Sequence, residues 1–308
     1  MGPSPRIRLV ATPIGNLDDL TVRAAAALRS ADVVACEDTR RTGLLLRHLG
    51  IRVPRLVVLN DHTERSVAER LVADAAEGLQ VVVVSDAGMP LVSDPGHVLV
   101  RVAIEAGIRL ESIPGPSALL AALVVSGLPA DRFVFEGFLP RKGAERRGRL
   151  AAVAAEPRTT VLYEAPHRLV ATIGDLSAVC GASRSVALAR ELTKLNEEVW
   201  RGTLGEAVEH VAESAPRGEY VVVLGGAPAV AATTDEIRRR VDERSGEGLS
   251  TSALARAVAE ELGVPRREVY DLVVSTSIED RTGGAAGEVI GDAVAPPSAD
   301  GGHHDGVG

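Results

Sequence analysis

Short apolar runs alternate with amphipathic stretches through the first 126 residues of the chain. Val81 to Val84 is β-branched and wholly apolar, the pattern of a strand covered on both faces. Runs near 7–11, 32–36, 55–59, 80–85 and 109–113 predict strands. The stretches near 20–30, 40–49, 63–77, 96–106 and 116–126 predict helices. Strands alternating with helices in this way predict a mostly parallel α/β sheet. After residue 126 the pattern changes. Phe133-Val134-Phe135-Glu136-Gly137-Phe138 leads into a charged loop and a short helix. Strands are expected near 159–163, 185–191, 197–203 and 219–225, with helices near 166–178 and 205–214. The close spacing of 185–191 and 197–203 predicts an antiparallel pair, hence a second α/β domain with a mixed sheet.

The expected organisation is a first α/β domain over 1–126 and a second over 127–228. Gly225-Gly226-Ala227-Pro228 then opens an Ala/Thr-rich linker. Amphipathic stretches at 235–244, 250–262 and 265–275 predict a small helical module over 229–276, resembling a helix-turn-helix. Ser250 and Thr251 are placed to cap its middle helix, and Gly263 to end it. Residues 277–308, rich in Gly and Ala and devoid of aromatics, are expected to be a disordered acidic tail.

Composition narrows the function classes. No apolar stretch approaches the length of a membrane span, no secretory leader is visible, and two cysteines make no disulfide framework or zinc spacing. A soluble cytoplasmic protein is expected. The net charge of −8 argues against nucleic acid at first sight, but residues 276–308 alone carry −5. The other 275 residues carry −3, so local patches decide. One such patch is Arg141-Lys142-Gly143-Ala144-Glu145-Arg146-Arg147-Gly148-Arg149, with five positive charges against one negative. Its Arg141, Lys142, Arg146, Arg147 and Arg149 are candidate contacts to an RNA backbone. Nine acids against seven arginines over 235–275 leave the helical module too acidic for a DNA reader.

Candidate chemistry lies at the strand exits. Thr12-Pro13-Ile14-Gly15-Asn16, the loop Ser85 to Gly96, and Pro114-Gly115-Pro116-Ser117-Ala118 each follow a predicted strand. Ligands of open α/β sheets bind outside the carboxyl ends of the strands. Glycines there allow close approach of backbone and prolines stiffen it, which suits a nucleotide-like cofactor. No G-x-G-x-x-G fingerprint, Walker A sequence, G-x-S-x-G elbow or histidine ligand cluster is present, and no metal is expected. Further constellations are Cys36-Glu37-Asp38-Thr39-Arg40-Arg41-Thr42, where Asp38 or Thr39 suits a helix cap, and Tyr163-Glu164-Ala165-Pro166-His167-Arg168. The last is Ala189-Arg190-Glu191-Leu192-Thr193-Lys194.

Taken together, over roughly residues 7–275, these segments closely resemble the tetrapyrrole-methylase-like superfamily, the class III S-adenosylmethionine (SAM) methyltransferases, and within it the members that act on ribosomal RNA. The resemblance implies two α/β domains with SAM in the cleft between them, and a homodimer. It implies 2′-O-methylation of a cytidine ribose in the decoding region of 16S rRNA. The superfamily's cofactor loops fall on Pro13, Gly15, Asp86, Ala87, Gly88, Pro114, Gly115, Ser117 and Ala118, with Tyr163 and Ala165 from the second domain. For the chemistry, Glu191 and Asp38 are the candidate general bases, and Lys194 or Arg40 the candidate orienting groups. A tetrapyrrole (corrinoid) methyltransferase is the nearest rival reading. A non-enzymatic nucleotide sensor that binds DNA is the more distant one.

Overall fold

The computed structural model describes residues 5–60, 64–228 and 232–283. It divides into two compact units, one ending at Pro228 and one beginning at Ala229. The first unit holds two five-stranded sheets. Strands β1 (Arg6–Val10), β2 (Val33–Cys36), β3 (Arg55–Val58), β4 (Val81–Val84) and β5 (Arg109–Ile113) lie in the order β3-β2-β4-β1-β5. Every pairing is parallel, as the alternating pattern predicts. Helices α1 (Val22–Arg29), α2 (Thr39–His48), α3 (Glu64–Ala76) and α4 (His97–Glu105) connect the strands. They cover both faces, so β2 and β4 are buried along their whole length.

The second sheet contains β6 (Phe133–Phe138), β7 (Thr159–Glu164), β8 (Ser185–Arg190), β9 (Glu198–Thr203) and β10 (Tyr220–Leu224), in the order β6-β7-β10-β8-β9. Only β6 and β7 run parallel, and β8 and β9 form the expected antiparallel pair. One face packs on α6 (Gly143–Ala155), α7 (Pro166–Cys180) and α8 (Leu204–Glu213). The other packs on α5 (Ala118–Ser126), whose Leu119, Ala122 and Leu123 meet Val161, Ala187 and Val223. Thus α5 follows the third bend of the first sheet but covers the second. The cluster that α5 forms with the second sheet also takes in Ile14 and Val92 from the bends of the first.

The charged loop expected at 141–149 is a loop only through Lys142. From Gly143 it is the start of α6, a helix of 13 residues. Leu150 and Val153 anchor this helix in the core, which outweighs the two glycines and the charges that made it read as a loop.

The second unit is a three-helix cluster of α9 (Thr234–Ser245), α10 (Thr251–Leu262) and α11 (Arg266–Gly283). Ile237, Val241, Leu254, Val258 and Val269 form its core. Ser250 caps α10 and Gly263 closes it in the left-handed conformation, as expected. Helix α11 continues through Gly283, beyond the boundary expected after 276. The acidic tail from 284 onward lies outside the described residues.

Candidate active site

The three bends expected to bind a cofactor are knitted into one block. The Thr12 N–H donates to Gly88 O (2.9 Å) and the Gly88 N–H returns a bond to Thr12 O (3.0 Å). The Thr12 hydroxyl donates to Ser85 O at 3.1 Å, and the Ser85 hydroxyl donates to Gly88 O at 3.1 Å. The third bend seats against the first because Gly115 has no side chain. A Cβ there would stand 2.8 Å from the Cβ of Ala11. Gly88, at φ 79°, occupies the left-handed region that glycine adopts at no steric cost.

The 37–41 turn joins this block. Asp38 caps α2, accepting from the Arg40 N–H at 2.8 Å, and grips the Arg40 guanidinium at 3.1 and 2.7 Å. The Asp38 N–H donates to Asp86 Oδ1 at 3.1 Å, and Arg41 pairs with Asp86 Oδ2 at 3.6 Å. Opposite lies the 191–197 connection between β8 and β9. Lys194 Nζ donates to Glu191 Oε1 and Glu219 Oε2, both at 2.9 Å, and the Glu219 N–H donates to Glu191 at 3.0 Å. The Asn16 N–H donates to Thr193 Oγ1 at 3.0 Å. Gly15 lies so close to this loop that a Cβ would meet Lys194 Cγ at 2.5 Å. Four non-glycine residues have positive φ: Leu91 (71°) and Ser93 (67°) in the Ser85–Gly96 loop, and Glu191 (49°) and Thr193 (66°) in the 191–197 connection. Such strain persists only where surrounding contacts enforce it.

Between the blocks is a cavity of about 410 Å³. Of the residues predicted to hold cofactor, Asp86, Ala87, Gly88, Ser117, Ala118, Tyr163 and Ala165 line it, and so does Lys194. Pro13, Gly15, Pro114 and Gly115 are not in its wall. Gly15 and Gly115 act from behind, by letting neighbouring backbone close up. Glu191, Asp38 and Arg40 also lie outside the wall. The hydrogen bond from Lys194 holds the Glu191 carboxyl below its usual range. The Arg40 guanidinium and N–H bring Asp38 down to about 2. Burial pushes the Lys194 ammonium down, but Glu191 and Glu219 outweigh it and raise it.

Sequence reasoning missed Glu37, Arg41, Asp94, Glu219 and Phe138, all in the wall. Asp94 differs from the other carboxylates. Burial, with the negative charges of Glu37 and Asp86, pushes it up to about 6 against the opposing effect of a hydrogen bond from Ser85. Two carboxylates in the Ser85–Gly96 loop were the available signal. Glu164, also in the wall, is structural. Its buried carboxylate accepts from Thr172 (2.6 Å) and the Ala165 N–H (2.9 Å) and pairs with Arg168 (3.3 Å), which fixes the start of α7. Tyr163 packs edge-on to Phe135 at 5.0 Å and tilted against Phe138 at 5.6 Å. Its phenol is raised by burial and stays neutral.

The basic segment splits by role. Arg146 is only 11% exposed and bonds Asp175 at 2.7 Å and Pro140 O at 2.9 Å. Arg149 bonds Glu136 Oε2 at 2.7 Å. Arg141, Lys142 and Arg147 are exposed and make no ion pair among the described residues.

A parallel sheet and a mixed sheet sharing a cavity of braced bends make up a methylase architecture, and the family model Tetrapyrrole (Corrin/Porphyrin) Methylases matches residues 6–208. Solved structures agree. Uroporphyrin-III-C-methyltransferase from Thermus thermophilus superposes with a TM-score of 0.51 at 25% identity, over 72% of this chain and 94% of that one. The same enzyme complexed with S-adenyl homocysteine gives 0.52 at 23% identity, over 71% and 97%, a likeness of fold. The relatives are more specific. Ribosomal RNA small subunit methyltransferase I of Synechocystis sp. is 47% identical over 267 residues, 86% of this chain and 95% of its own. That of Mycobacterium tuberculosis (strain ATCC 25618 / H37Rv) is 45% identical over 285 residues, 92% and 99%. The chain belongs to the tetrapyrrole methylases, in the branch of ribosomal RNA small subunit methyltransferase I.

Proposed function

We propose that the protein transfers a methyl group from SAM to the 2′-oxygen of a cytidine ribose in the decoding region of 16S rRNA, in the small ribosomal subunit. It works as a homodimer in the cytoplasm. The observation that carries this reading is near full-length identity of 47% to a relative named for methylating small-subunit ribosomal RNA.

The cavity suits the donor. Its apolar lining from Ile14, Val92, Leu192 and Val221 fits an adenosyl group, and its carboxylates fit a cationic ligand. SAM, when bound, supplies an electrophilic methyl on a sulfonium sulfur. Asp86, Ala87, Gly88, Ser117, Ala118, Tyr163 and Ala165 would hold it, with Pro13 and Pro114 stiffening the wall from behind and Gly15 and Gly115 letting its parts close up. The main contribution of these residues is positioning, which reaches roughly 7–11 kcal/mol when reacting atoms are well aligned. The ribose hydroxyl must also lose its proton. Asp38 and Glu191 are stabilised as anions by tight cationic partners and are weak acceptors. Asp94, half-buried in the wall with its carboxyl pushed up to about 6, is the better general base. Lys194 and Arg41 orient the substrate, and Arg40 braces the Asp38 cap.

RNA is gripped by Arg141, Lys142 and Arg147, while Arg146 and Arg149 hold α6 in place. A polyanion favours the ribosomal over the corrinoid reading, because a small macrocycle needs no basic surface outside the cavity. The test is transfer of labelled methyl from SAM to small subunits from cells lacking the gene, with the product mapped by nucleotide. We expect label on one 16S cytidine ribose. K142E/R147E should reduce transfer about tenfold or more and lower the slope of log affinity against log salt by roughly 0.7–0.9 per lost contact, with SAM affinity unchanged. Label on a precorrin and none on subunits would overturn the reading.

A further inference from the structure

The chain has only seven aromatic residues, and three of them, Phe135, Phe138 and Tyr163, pack together beside the cavity. Phe135 and Tyr163 are largely covered. Phe138 is 51% exposed, although it lines the cavity and leans on the Tyr163 ring at a tilt of 59°. An exposed aromatic normally gains by burial, so a half-exposed ring braced by a second, tilted ring is a surface prepared for a flat ligand.

Size identifies which one. Pockets for one small ligand hold about 300–1,000 Å³, and 410 Å³ is near the lower end. A cofactor filling this space leaves no room for a second nucleoside, whose base must stay at the mouth. Phe138 stands there, at the end of β6. Three residues further on the basic run begins with Arg141 and Lys142, placed to follow the backbone of the same strand. Stacking on an aromatic face beside basic residues is how proteins hold unpaired nucleotides.

We propose that Phe138 is a positioning residue, on whose exposed face the base of the target nucleotide stacks once it has left the RNA helix. The inference rests on the ribosomal-RNA reading above. Stacking is tolerant of base identity, so Phe138 contributes placement, and nothing in it selects cytosine over other bases.

The test uses the full chain with F138A, F138L and F138W, labelled SAM, and small subunits from cells lacking the gene. Binding of SAM is measured separately by calorimetry. F138A and F138L should each lower kcat/KM for subunits by about 5- to 150-fold, the equivalent of the 1–3 kcal/mol per stacked base. F138W should stay within about threefold of the parent, and all three should bind SAM within twofold. Activity of F138L equal to the parent, or loss of SAM affinity in F138A with KM for subunits unchanged, overturns the proposal; the latter places the cofactor's adenine on the ring. A parent protein that binds SAM but leaves subunits unmethylated overturns the ribosomal reading, and this inference with it.

Discussion

At the residue scale the decisive contrast is among carboxylates. Asp38 and Glu191 each face a cation within hydrogen-bond reach, whereas Asp94 faces Glu37 and Asp86 in a half-buried wall. Of these three, Asp94 is the one poised to change charge near neutral pH. The rate of methyl transfer should therefore rise through an apparent pKa of about 6 and level off above it. A profile flat down to pH 5 would return the role to Asp38 or Glu191. D94N should cost roughly 10²–10⁴-fold in kcat with little change in SAM affinity. Its stability carries a signature of opposite sign. The folded-state carboxyl titrates above the ordinary 3.8, so ionising Asp94 costs folding free energy. That cost is absent below about pH 4, grows towards pH 6 and is complete above it. D94N should thus melt higher than the parent at pH 8 and equally at pH 4, measured by thermal denaturation. The loop containing Asp94 was legible as a site, because two carboxylates sat among its glycines and prolines. Asp94 itself was not, since its raised pKa comes first from burial and then from Glu37 at another strand exit, and both depend on the fold.

At the element scale the strand-to-helix exits were readable because they obey local rules. Apolar runs end at Gly/Pro bends, Asp38 caps α2, and the closely spaced runs 185–191 and 197–203 pair antiparallel. Helix α6 was misread because its support is not local. Its first turns are fixed by Asp175 and Glu136, and its end by Arg184, a nearly buried guanidinium. Arg184 donates to Gly225 O (2.6 Å), Ala154 O (2.8 Å), Glu156 O (3.0 Å) and Val153 O (3.2 Å). It thereby ties the end of α6 to the end of β10. Among the described residues no carboxylate hydrogen-bonds it, and burial lowers its pKa. Replacement by methionine keeps the stem but leaves these carbonyls without a donor, at about 1–3 kcal/mol for an unsatisfied buried group. R184M should lose about 3 kcal/mol, read as a fall of roughly 6–12 °C in Tm. An unchanged Tm would show that water or neighbouring donors replace the guanidinium.

At the scale of the whole molecule, charge and apolar surface were unequally legible. The tail's contribution to net charge could be counted from the sequence, and the basic patch stood out, but which arginines remain available depended on tertiary partners such as Asp175. Apolar surface shows the same dependence. Helix α5 reads Ala-Leu-Leu-Ala-Ala-Leu-Val-Val-Ser, apolar on all sides, which is the composition of a helix covered all round. Leu119, Ala122 and Leu123 are covered by the second sheet. Leu120 and Val124, one turn apart on the other side, are 48% and 73% exposed, with Val125 beside them. A second copy of the chain is the cover that the homodimer reading requires, and a two-fold interface places this stripe near its own symmetry mate. Light scattering of the parent should give twice the chain mass, and V124D should shift it towards one, because a carboxylate buried in an apolar interface without a partner is strongly disfavoured. Monomeric V124D should still bind SAM, since α5 meets the cavity only through Ala118. A parent monomeric at high concentration, or a V124D protein that stays dimeric, would remove α5 from the interface.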